Sequence, residues 1–585
     1  MYKNSLDRNL RKQVFIFLYI GLSILILYRY FFLQIIENEK FREKAGNNSL
    51  RKIVLYPPRG IIYDRNYKPL VDNSPLYQIK IITRDMQENF NYKILEKHTG
   101  ITKMYVDSVI SRSKYIPGGQ FKPMLLKNYV SMNKKSILEE YKLDLKGLYF
   151  SQLPARIYTS DCKLTHVLGF LKKVNKNSMK ENNYYLNDVI GYSGVEKFYE
   201  RKLHGEYGID YFVVDRSGVI QGKFETDNDI SSIQGEDLVL TINSDVQKFA
   251  EEVFSDSKGS IIIMDPSNGE VISMLSSPSY DLDSFIGRLS LKEWKNLQND
   301  LSRPFINRAI QSNYPPGSIF KLVLSAIALE KKIINKNWTV ECNGEYQFHD
   351  TVFRCWNETG HGEVNLNSAI KSSCNIFFYN LMQKITFDDW STSSRKFGFG
   401  EKTGIDLHSE SIGIVPDKKF MNQFYKSKGG WSKGHLLNLS IGQGEVSVTP
   451  IQVMQLINAI ANNGVIYKPH LNLVSDLKSK NVNYKNFVWK HLKDAMYDAV
   501  NSEGGTAYNT RIDKKNGIVY GKTGTAQVCS NCDISPHGWF AGFLELKNGR
   551  KYTICIVVEN GGKGSIIPTK MAKKIFEYII GLDNV

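Results

Sequence analysis

Residues 320–330 place the strongest limit on the fold, because they form a run that is apolar on nearly every side of the helix it predicts. A surface helix keeps one polar face toward water, so a helix without such a face must be surrounded by other protein. A Pro-Pro-Gly sequence at positions 315–317 stands directly before the run and predicts a turn. The sequence therefore predicts a helix that begins at this turn and lies inside a large domain.

The turn carries Ser318, and Lys321 follows three residues later on the same helix face. Free backbone N–H groups in the first turn of a helix favour negative charge developing on the serine. Burial lowers the pKa of a lysine toward the range of a general base, so the pair predicts an activated nucleophile. The alternative is a helix-capping serine beside a lysine that extends to the surface. The same spacing occurs elsewhere, where we attribute it to chance: Ser49, Ser111, Ser131, Ser160, Ser255, Ser393 and Ser475.

Two later motifs supply partners for this pair, and they read Ser373-Cys374-Asn375 and Lys522-Thr523-Gly524-Thr525. A second Lys-Thr-Gly occurs at 402–404, in a glycine-rich segment typical of a loop. The copy at 522 lies within a predicted strand whose edge could contact an extended substrate. Its glycine would allow close approach to the backbone. We therefore select Lys522 rather than Lys402.

The second half of the chain predicts an α+β domain. It contains strand patterns near both of its ends and a closing amphipathic helix, with other helices between them. Such an order predicts an antiparallel sheet flanked by helices. The strands are expected at residues 260–264, 270–275 and 552–558, and the helix contains Met571, Ile575 and Ile579. In the first half, we expect strands at residues 77–82 and 209–214 and a helix at 131–141.

Residues 14–36 form an apolar segment of membrane-spanning length, interrupted by Arg29, whose long side chain can extend to the interface. No small-residue cleavage site follows, so we expect a retained single-pass anchor with the rest of the chain exported. At 585 residues the chain is too long for one core. We predict four parts: a cytoplasmic tail at 1–13, the transmembrane helix, a mixed pedestal domain at 37–235 and the α+β domain at 236–585.

The net charge of +17 raises the question of a nucleic-acid partner. The charge is spread along the chain, and the sequence contains no zinc-finger spacing, aromatic RNA-binding signature or basic tail. We therefore expect no nucleic acid.

The order Ser-x-x-Lys, Ser-x-Asn and Lys-Thr-Gly resembles the active-site motifs of penicillin-binding proteins and serine β-lactamases. The resemblance is closest to class B penicillin-binding proteins and covers almost the whole chain. Cys355-Trp356 before Gly360-His361-Gly362, and the cysteine inside Ser-x-Asn, are similar to the cell-elongation type. Further matches follow in order at residues 59–65, 191–205, 235–242, 307–309, 441–444, 449–450 and 539–543.

The resemblance implies a peptidoglycan D,D-transpeptidase that cross-links stem peptides of nascent, lipid-linked glycan and is acylated by β-lactams. Ser318 would attack the carbonyl of the penultimate D-Ala, with Lys321 as its base. Ser373 and Asn375 would relay the proton to the leaving group and hold the substrate amide. Backbone N–H groups of Ser318 and Thr525 would form the oxyanion hole. The terminal carboxylate would bind at Lys522, Thr523, Gly524 and Thr525.

The resemblance also leaves alternatives: a division-specific transpeptidase, a β-lactamase, and a β-lactam sensor or catalytically silent scaffold. A β-lactamase needs a base that activates water for deacylation, and the sequence shows no obvious glutamate for this role. A sensor should have several membrane spans, whereas this sequence predicts one. For a cell-elongation enzyme, we expect the pedestal to contact a membrane glycan polymerase and other elongation proteins.

Four soft metal ligands are grouped just before and within the Ser-x-Asn motif: Cys342, Cys355, His361 and Cys374. Three thiolates and an imidazole suit a closed tetrahedral site, so we expect a structural Zn²⁺ that fixes Ser373 and Asn375. The alternative is a disulfide between the first two cysteines, with the histidine and the last cysteine packed in the core. The Cys-x-x-Cys sequence at 529–532 predicts a loop disulfide or two free thiols.

Overall fold

A computed structural model describes residues 3–37, 50–174, 184–185, 188–214, 220–224, 229–286, 289–335, 337–528 and 533–583. The helices, in chain order, are α1 (Lys3–Phe31), α2 (Tyr92–Thr99), α3 (Lys103–Lys114), α4 (Met132–Glu140), α5 (Thr165–Leu168), α6 (Gly194–Phe198), α7 (Glu200–Leu203), α8 (Ser244–Val253), α9 (Leu291–Asn299), α10 (Lys321–Glu330), α11 (Leu366–Lys371), α12 (Asn375–Met382), α13 (Phe387–Lys396), α14 (Lys418–Phe424), α15 (Lys433–Ser440), α16 (Pro450–Ala461), α17 (Asn486–Asn501) and α18 (Ile567–Asp583).

The strands are β1 (Leu50–Leu55), β2 (Ile62–Tyr63), β3 (Pro69–Ile81), β4 (Met124–Val130), β5 (Leu148–Tyr158), β6 (Leu171–Lys173), β7 (Val189–Gly191), β8 (Gly208–Val214), β9 (Ile220–Lys223), β10 (Leu238–Val239), β11 (Gly259–Met264), β12 (Val271–Ser277), β13 (Val340–Cys342), β14 (Glu345–Phe348), β15 (Thr351–Arg354), β16 (Gly362–Val364), β17 (Val465–Tyr467), β18 (Ser479–Asn481), β19 (Gly517–Ala526), β20 (His537–Leu546) and β21 (Lys551–Val558).

The N-terminal helix is longer than the predicted span. α1 continues into a π-helical turn at Phe32–Ile36, and the most apolar 18-residue stretch within Leu10–Ile36 has a mean hydropathy of 2.0. No part of its most apolar stretch is buried against protein, and it is the one helix in the described ranges long and apolar enough to cross a membrane. This is consistent with the predicted single-pass anchor.

The described residues divide into two compact units, and the first comprises residues 1–58, 75–154 and 205–234. In this unit β1, β8 and β9 form an antiparallel sheet. The second half of β3 pairs with β4, and apolar side chains from this pair and from α2, α3 and α4 form one core. The two strands and the helix predicted in the first half of the chain correspond to β3, β8 and α4.

The second unit comprises residues 59–74, 155–204 and 235–585. It therefore draws on both of the parts predicted at 37–235 and 236–585. Its first two segments are joined by a buried ion pair, because Arg59 contacts the carboxylate of Glu196 at 2.8 Å. Arg156, in the second segment, contacts the same carboxylate at 2.8 Å.

A five-stranded antiparallel sheet in the order β12-β11-β21-β20-β19 forms the centre of the second unit. Alternate residues of its strands enter two hydrophobic cores. α8 and α18 contribute to one core, and α10, α16 and much of α17 contribute to the other. The predicted α+β class, with an antiparallel sheet flanked by helices, is confirmed.

α10 is the apolar helix on which the fold prediction depends. Its residues from Lys321 to Leu329 are all buried, as its lack of a polar face predicts. The helix begins one turn later than expected, because Gly317–Phe320 form a 3₁₀ turn and Gly317 has a φ of +56°. Ser318 therefore lies on this 3₁₀ turn rather than in the first turn of the α-helix.

Candidate active site

Ser318 is half-buried on the 3₁₀ turn before α10. The N–H of the preceding Gly317 donates to the carbonyl of Gly442 at 3.0 Å. A Cβ on Gly442 would stand 2.2 Å from the carbonyl oxygen of Gly317, and Gly442 has a φ of +71°. Both the close approach and the positive φ require glycine. The segment around Gly442 therefore fixes the position of the serine turn.

β19 carries the Lys-Thr-Gly motif along the edge of the sheet, beside the serine turn. A Cβ built on Gly317 would lie 2.8 Å from the carbonyl oxygen of Thr525, and one built on Gly524 would lie 3.1 Å from that of Pro316. The strand and the turn are thus in backbone contact. Across the described ranges β19 pairs with β20 alone, so no strand covers its second edge.

The other Lys-Thr-Gly copy lies in an irregular segment, as predicted. The N–H groups of Thr403 and Gly404 donate to the carboxylate of Glu410 at 2.7 and 3.1 Å. Its backbone is therefore engaged in a local loop.

Lys321 is fully buried and its amine contacts the Ser-x-Asn motif. Nζ donates to the carbonyl oxygen of Ser373 at 2.8 Å and to Oδ1 of Asn375 at 2.7 Å, and it lies 3.2 Å from Oγ of Ser373. Burial lowers the pKa of Lys321 to about 8, against a smaller opposing effect of the thiols of Cys374 and Cys355. With this pKa, about a tenth of Lys321 is neutral at pH 7 and about half at pH 8.

Lys522 is a second fully buried lysine. Its Nζ donates to the carbonyl oxygen of Thr523 at 3.1 Å. Burial, and then the charge of Lys321, hold the pKa of Lys522 well below its ordinary value. An anionic group bound beside Lys522 would favour its charged form, so this lysine is suited to a carboxylate ligand.

Ser373 has a φ of +56°, in the left-handed region that residues with a side chain rarely adopt. Such a conformation costs of order 1 kcal/mol and persists only where the surroundings hold it. Here the neighbouring Asn375 is held twice, because its N–H donates to Sγ of Cys355 at 3.4 Å and its Nδ2 donates to the carbonyl of Arg354 at 3.2 Å. The structure thus brings Lys321, Ser373 and Asn375 together.

The four predicted metal ligands lie in one group, with Cys342, Cys355 and Cys374 buried and His361 partly buried. Their ligand atoms all lie within 4.8 Å of one another, and Nδ1 of His361 is 3.5 Å from Sγ of both Cys342 and Cys355. A tetrahedral Zn²⁺ with ordinary Zn–S and Zn–N bonds places sulfur and nitrogen about 3.6 Å apart. The donor set and its spacing therefore fit zinc.

The disulfide alternative is wrong for this structure, since Cys342 and Cys355 are both free thiols. A hydrogen bond between the two thiols lowers the pKa of Cys355 and raises the pKa of Cys374. Of this pair, Cys355 is therefore the cysteine whose thiolate, the form that metals bind, is favoured. The Cys-x-x-Cys sequence at 529–532 lies outside the described residues.

No sequence pattern identified Glu559, whose carboxylate contacts Tyr314, a residue just before the serine turn. Its Oε1 accepts hydrogen bonds from the hydroxyl of Tyr314 at 2.7 Å and from Nε of Arg308 at 2.9 Å. Burial, and then this carboxylate, raise the pKa of Tyr314. Arg308 lies in one of the motif matches, but nothing local connects that motif to a residue at the end of β21.

Sequence profiles of two known domains match the chain. The one described as the penicillin binding protein transpeptidase domain matches residues 259–577, more than half of the chain. The chain belongs to the penicillin-binding protein transpeptidase family. The profile of the penicillin-binding protein dimerisation domain matches residues 54–240 of this penicillin-binding protein.

Individual relatives match nearly the full length. Peptidoglycan D,D-transpeptidase MrdA of Acinetobacter baumannii is 31% identical over 600 residues, which cover 96% of this chain and 87% of that protein. A solved complex between penicillin-binding protein 2 and MreC from Helicobacter pylori matches with a TM-score of 0.78 at 28% identity, over 92% of this chain and 100% of that one. A peptidoglycan synthase complex that coordinates polymerization and crosslinking contains a chain that matches with a TM-score of 0.75 at 26% identity, over 98% of both chains.

This penicillin-binding protein is therefore a serine-type D,D-transpeptidase similar to penicillin-binding protein 2, as the sequence predicts. The comparisons do not favour the division-specific enzyme, the β-lactamase, or the sensor or scaffold.

Proposed function

We propose that Ser318 forms the acyl-enzyme of peptidoglycan cross-linking during cell-wall elongation, with Lys321 as its base. The contacts of the Lys321 amine are the observation that carries this proposal. A carbonyl and an amide oxygen accept hydrogen bonds but cannot donate them. When the amine is neutral, its two N–H groups can donate to these oxygens of Ser373 and Asn375. Its lone pair can then accept the proton of a hydroxyl, such as that of Ser373 at 3.2 Å.

The proposed reaction is described by the path of the Ser318 hydroxyl proton. Lys321 takes the hydroxyl proton as Oγ of Ser318 attacks the carbonyl carbon of the penultimate D-Ala. The proton passes through the hydroxyl of Ser373 to the amine of the terminal D-Ala, which leaves as the C–N bond breaks. An amine of a second stem peptide attacks the ester, gives up a proton by the reverse route and regenerates Ser318.

Substrate binding is assigned to the edge of β19. We propose that Lys522, Thr523 and Thr525 bind the terminal carboxylate of the donor peptide, and that Gly524 lets the peptide approach the strand. The N–H groups of Ser318 and Thr525 would stabilise the oxyanion. In well-studied acyl-transfer enzymes the loss of one such donor costs about 10²–10³ in rate.

The anchor and the relatives support a place for this chemistry at the membrane. We propose that α1 spans the inner membrane once, and that the catalytic unit lies on its periplasmic side and acts on nascent, lipid-linked glycan. Related proteins have been solved with MreC and in a peptidoglycan synthase complex. We infer that this chain likewise assembles with elongation proteins and a membrane glycan polymerase.

The experiment that tests the function uses the full chain in detergent with polymerised glycan that carries pentapeptide stems. Transpeptidation releases one D-Ala for each cross-link, so we expect cross-linked dimers and free D-Ala in equal amounts. A penicillin should block both products and remain attached to the protein. Rapid hydrolysis of the penicillin without cross-links would instead identify a β-lactamase, and a folded protein that shows neither reaction would identify a scaffold.

We also propose that Cys342, Cys355, His361 and Cys374 hold a structural Zn²⁺. The fit of the donor atoms to a tetrahedron supports this assignment. The ion would supply no reaction step, but it would hold the thiolates in place. Because Sγ of Cys355 accepts the N–H of Asn375, the ligand set also positions the catalytic amide.

Removal of one ligand is expected to remove the metal. Elemental analysis of the purified wild type should give about one zinc per chain, and Cys355→Ser should lose most of it, because structural sites need all four ligands. The loss should also lower the melting temperature, since a metal that binds only the folded state stabilises it.

Cys162→Ser is the matched control, because Cys162 is a buried free thiol outside the group. It should retain zinc. A metal-free wild type with the same melting temperature in added zinc and in chelator would contradict the assignment.

A further inference from the structure

Three consecutive residues, Arg354, Cys355 and Trp356, contact the Ser-x-Asn motif from both sides. On one side, the carbonyl of Arg354 and Sγ of Cys355 accept hydrogen bonds from Asn375. On the other side, Nε1 of Trp356 donates to the carbonyl of Ser372 at 3.0 Å. Ser373 and Cys374 lie between these contacts. The segment therefore acts as a clamp on the motif, and we call it the 354–356 clamp.

Ser373 can keep its strained backbone conformation only if contacts around it hold it in place. Ser373 has a φ of +56°, so its backbone can release strain by rotating toward an ordinary conformation. That rotation would move its carbonyl and hydroxyl, which are both in contact with Nζ of Lys321. Contacts that hold the residues before and after Ser373 oppose the rotation. The N–H and hydroxyl of Ser372 donate to the carbonyl of Ser368 at 2.9 and 2.8 Å, and the indole N–H adds the contact to the carbonyl of Ser372.

Trp356 is itself well placed to act as a fixed donor. Its ring lies edge-on to the ring of His361 at a centroid distance of 5.3 Å, so it rests on one of the proposed metal ligands. The residue is nevertheless 56% exposed. Water could satisfy an exposed indole N–H, so this hydrogen bond adds little to folding stability. Its main effect must be on the geometry of the group that accepts it.

We propose that Trp356 is a positioning residue for transpeptidation. Its indole N–H holds the carbonyl of Ser372 and thereby keeps the carbonyl and hydroxyl of Ser373 in contact with the amine of Lys321. The inference rests on the proposed function of Ser318 and Lys321, and it adds a residue that contacts neither of them. Loss of a neutral hydrogen bond corresponds to about three- to tenfold in a rate that depends on it. The effect should fall on the acylation step rather than on the affinity for the ligand.

The test compares Trp356→Phe with Trp431→Phe in the full chain. Phenylalanine keeps an aromatic ring but removes the indole N–H. Trp431 donates its own indole N–H to Asn422 at 2.7 Å, outside the motif, so the control makes the same chemical change elsewhere. Acylation by a fluorescent penicillin should slow about three- to tenfold at saturation in Trp356→Phe alone. Zinc content and melting temperature should match those of the control.

A second variant separates the N–H from the shape of the ring. Replacement of Trp356 by the sulfur isostere benzothienylalanine keeps the bicyclic ring, and it should slow acylation as phenylalanine does. If the isostere reacts at the wild-type rate, or if the variants weaken penicillin affinity without slowing the saturated rate, the positioning role is wrong. A parallel loss of melting temperature and acylation would reduce Trp356 to a structural role.

Hydrogen exchange of residues 372–376 gives a readout that does not depend on activity. The amides of Ser373 and Cys374 donate to the carbonyls of Ile370 and Ala369, so loosening of the motif should increase their exchange. We expect faster exchange in Trp356→Phe and not in Trp431→Phe. Unchanged exchange would overturn the clamp. If exchange is faster in Trp356→Phe but penicillin acylates neither the variant nor the wild type, the clamp is supported and the proposed function is refuted.

Discussion

Ser318→Ala is expected to abolish covalent labelling by a fluorescent penicillin, with a loss of at least about 10³-fold in acylation rate. Alanine removes the only side-chain hydroxyl of the 3₁₀ turn Gly317–Phe320. The fold should survive, because the turn is held by the backbone contact of Gly317 with Gly442 rather than by the hydroxyl. Intact mass measurement after incubation with the penicillin would show the missing adduct directly.

Ser325→Ala is the matched control for this change. Ser325 lies on α10, the helix that follows the serine turn. It is fully buried, and its hydroxyl donates to the carbonyl of Lys321 at 2.7 Å. A serine that bonds back to its own helix contributes little to helix stability, so this variant should label like the wild type. Full labelling of Ser318→Ala would show that another residue is the nucleophile.

Lys321→Met is expected to slow acylation by about 10²–10⁴-fold, the range that positioned general bases supply. Methionine fills a similar volume in this buried position, so it removes the base without opening a large cavity. It leaves the carbonyl of Ser373 and Oδ1 of Asn375 without the amine, which should also cost some stability. The measurements are the saturated acylation rate and the melting temperature.

The pH dependence identifies the role of this lysine. Since burial lowers the pKa of Lys321 to about 8, its neutral form becomes the minor one below that pH. The wild-type acylation rate should therefore fall about tenfold for each pH unit below the pKa and level off above it. Lys321→Met should lose this dependence. A variant that retains both the wild-type rate and its pH profile would exclude Lys321 as the base.

Lys331→Met controls for the loss of a positive charge. Lys331 follows the same helix, is 43% exposed and pairs with Asp389 at 2.6 Å. An exposed ion pair contributes at most about 1 kcal/mol, so acylation and its pH profile should not change.

Part of the site could be predicted because its signals are local. The apolar run at 320–330, the Pro-Pro-Gly turn and the spacing of Ser318 to Lys321 all lie within one helix and the turn before it. The choice of Lys522 over Lys402 followed from the strand pattern around it. The grouping of Cys342, Cys355, His361 and Cys374 was also visible, because three of the four lie within twenty residues of one another.

Other parts depended on contacts that no local pattern encodes. β11 pairs with β21, so Gly259 lies opposite Val558, and these strands are separated by most of the catalytic unit. Glu559, at the end of that strand, supports the serine turn for the same reason. The sequence does not predict the hydrogen bond from Trp356 to Ser372 either, since the two residues are 16 positions apart and meet only in the folded chain.

Several strands and helices, the burial of α10 and the candidate pair Ser318 and Lys321 were readable in the sequence. Periodicity and turn chemistry act over a few residues, so they are readable in the chain. The order of the strands and the packing of segments 59–74 and 155–204 with 235–585 became known from the tertiary structure alone. The same holds for the contacts that keep Ser373 in its strained conformation. These features come from side chains that meet only after the chain has folded, because packing selects partners by shape and burial rather than by distance along the sequence.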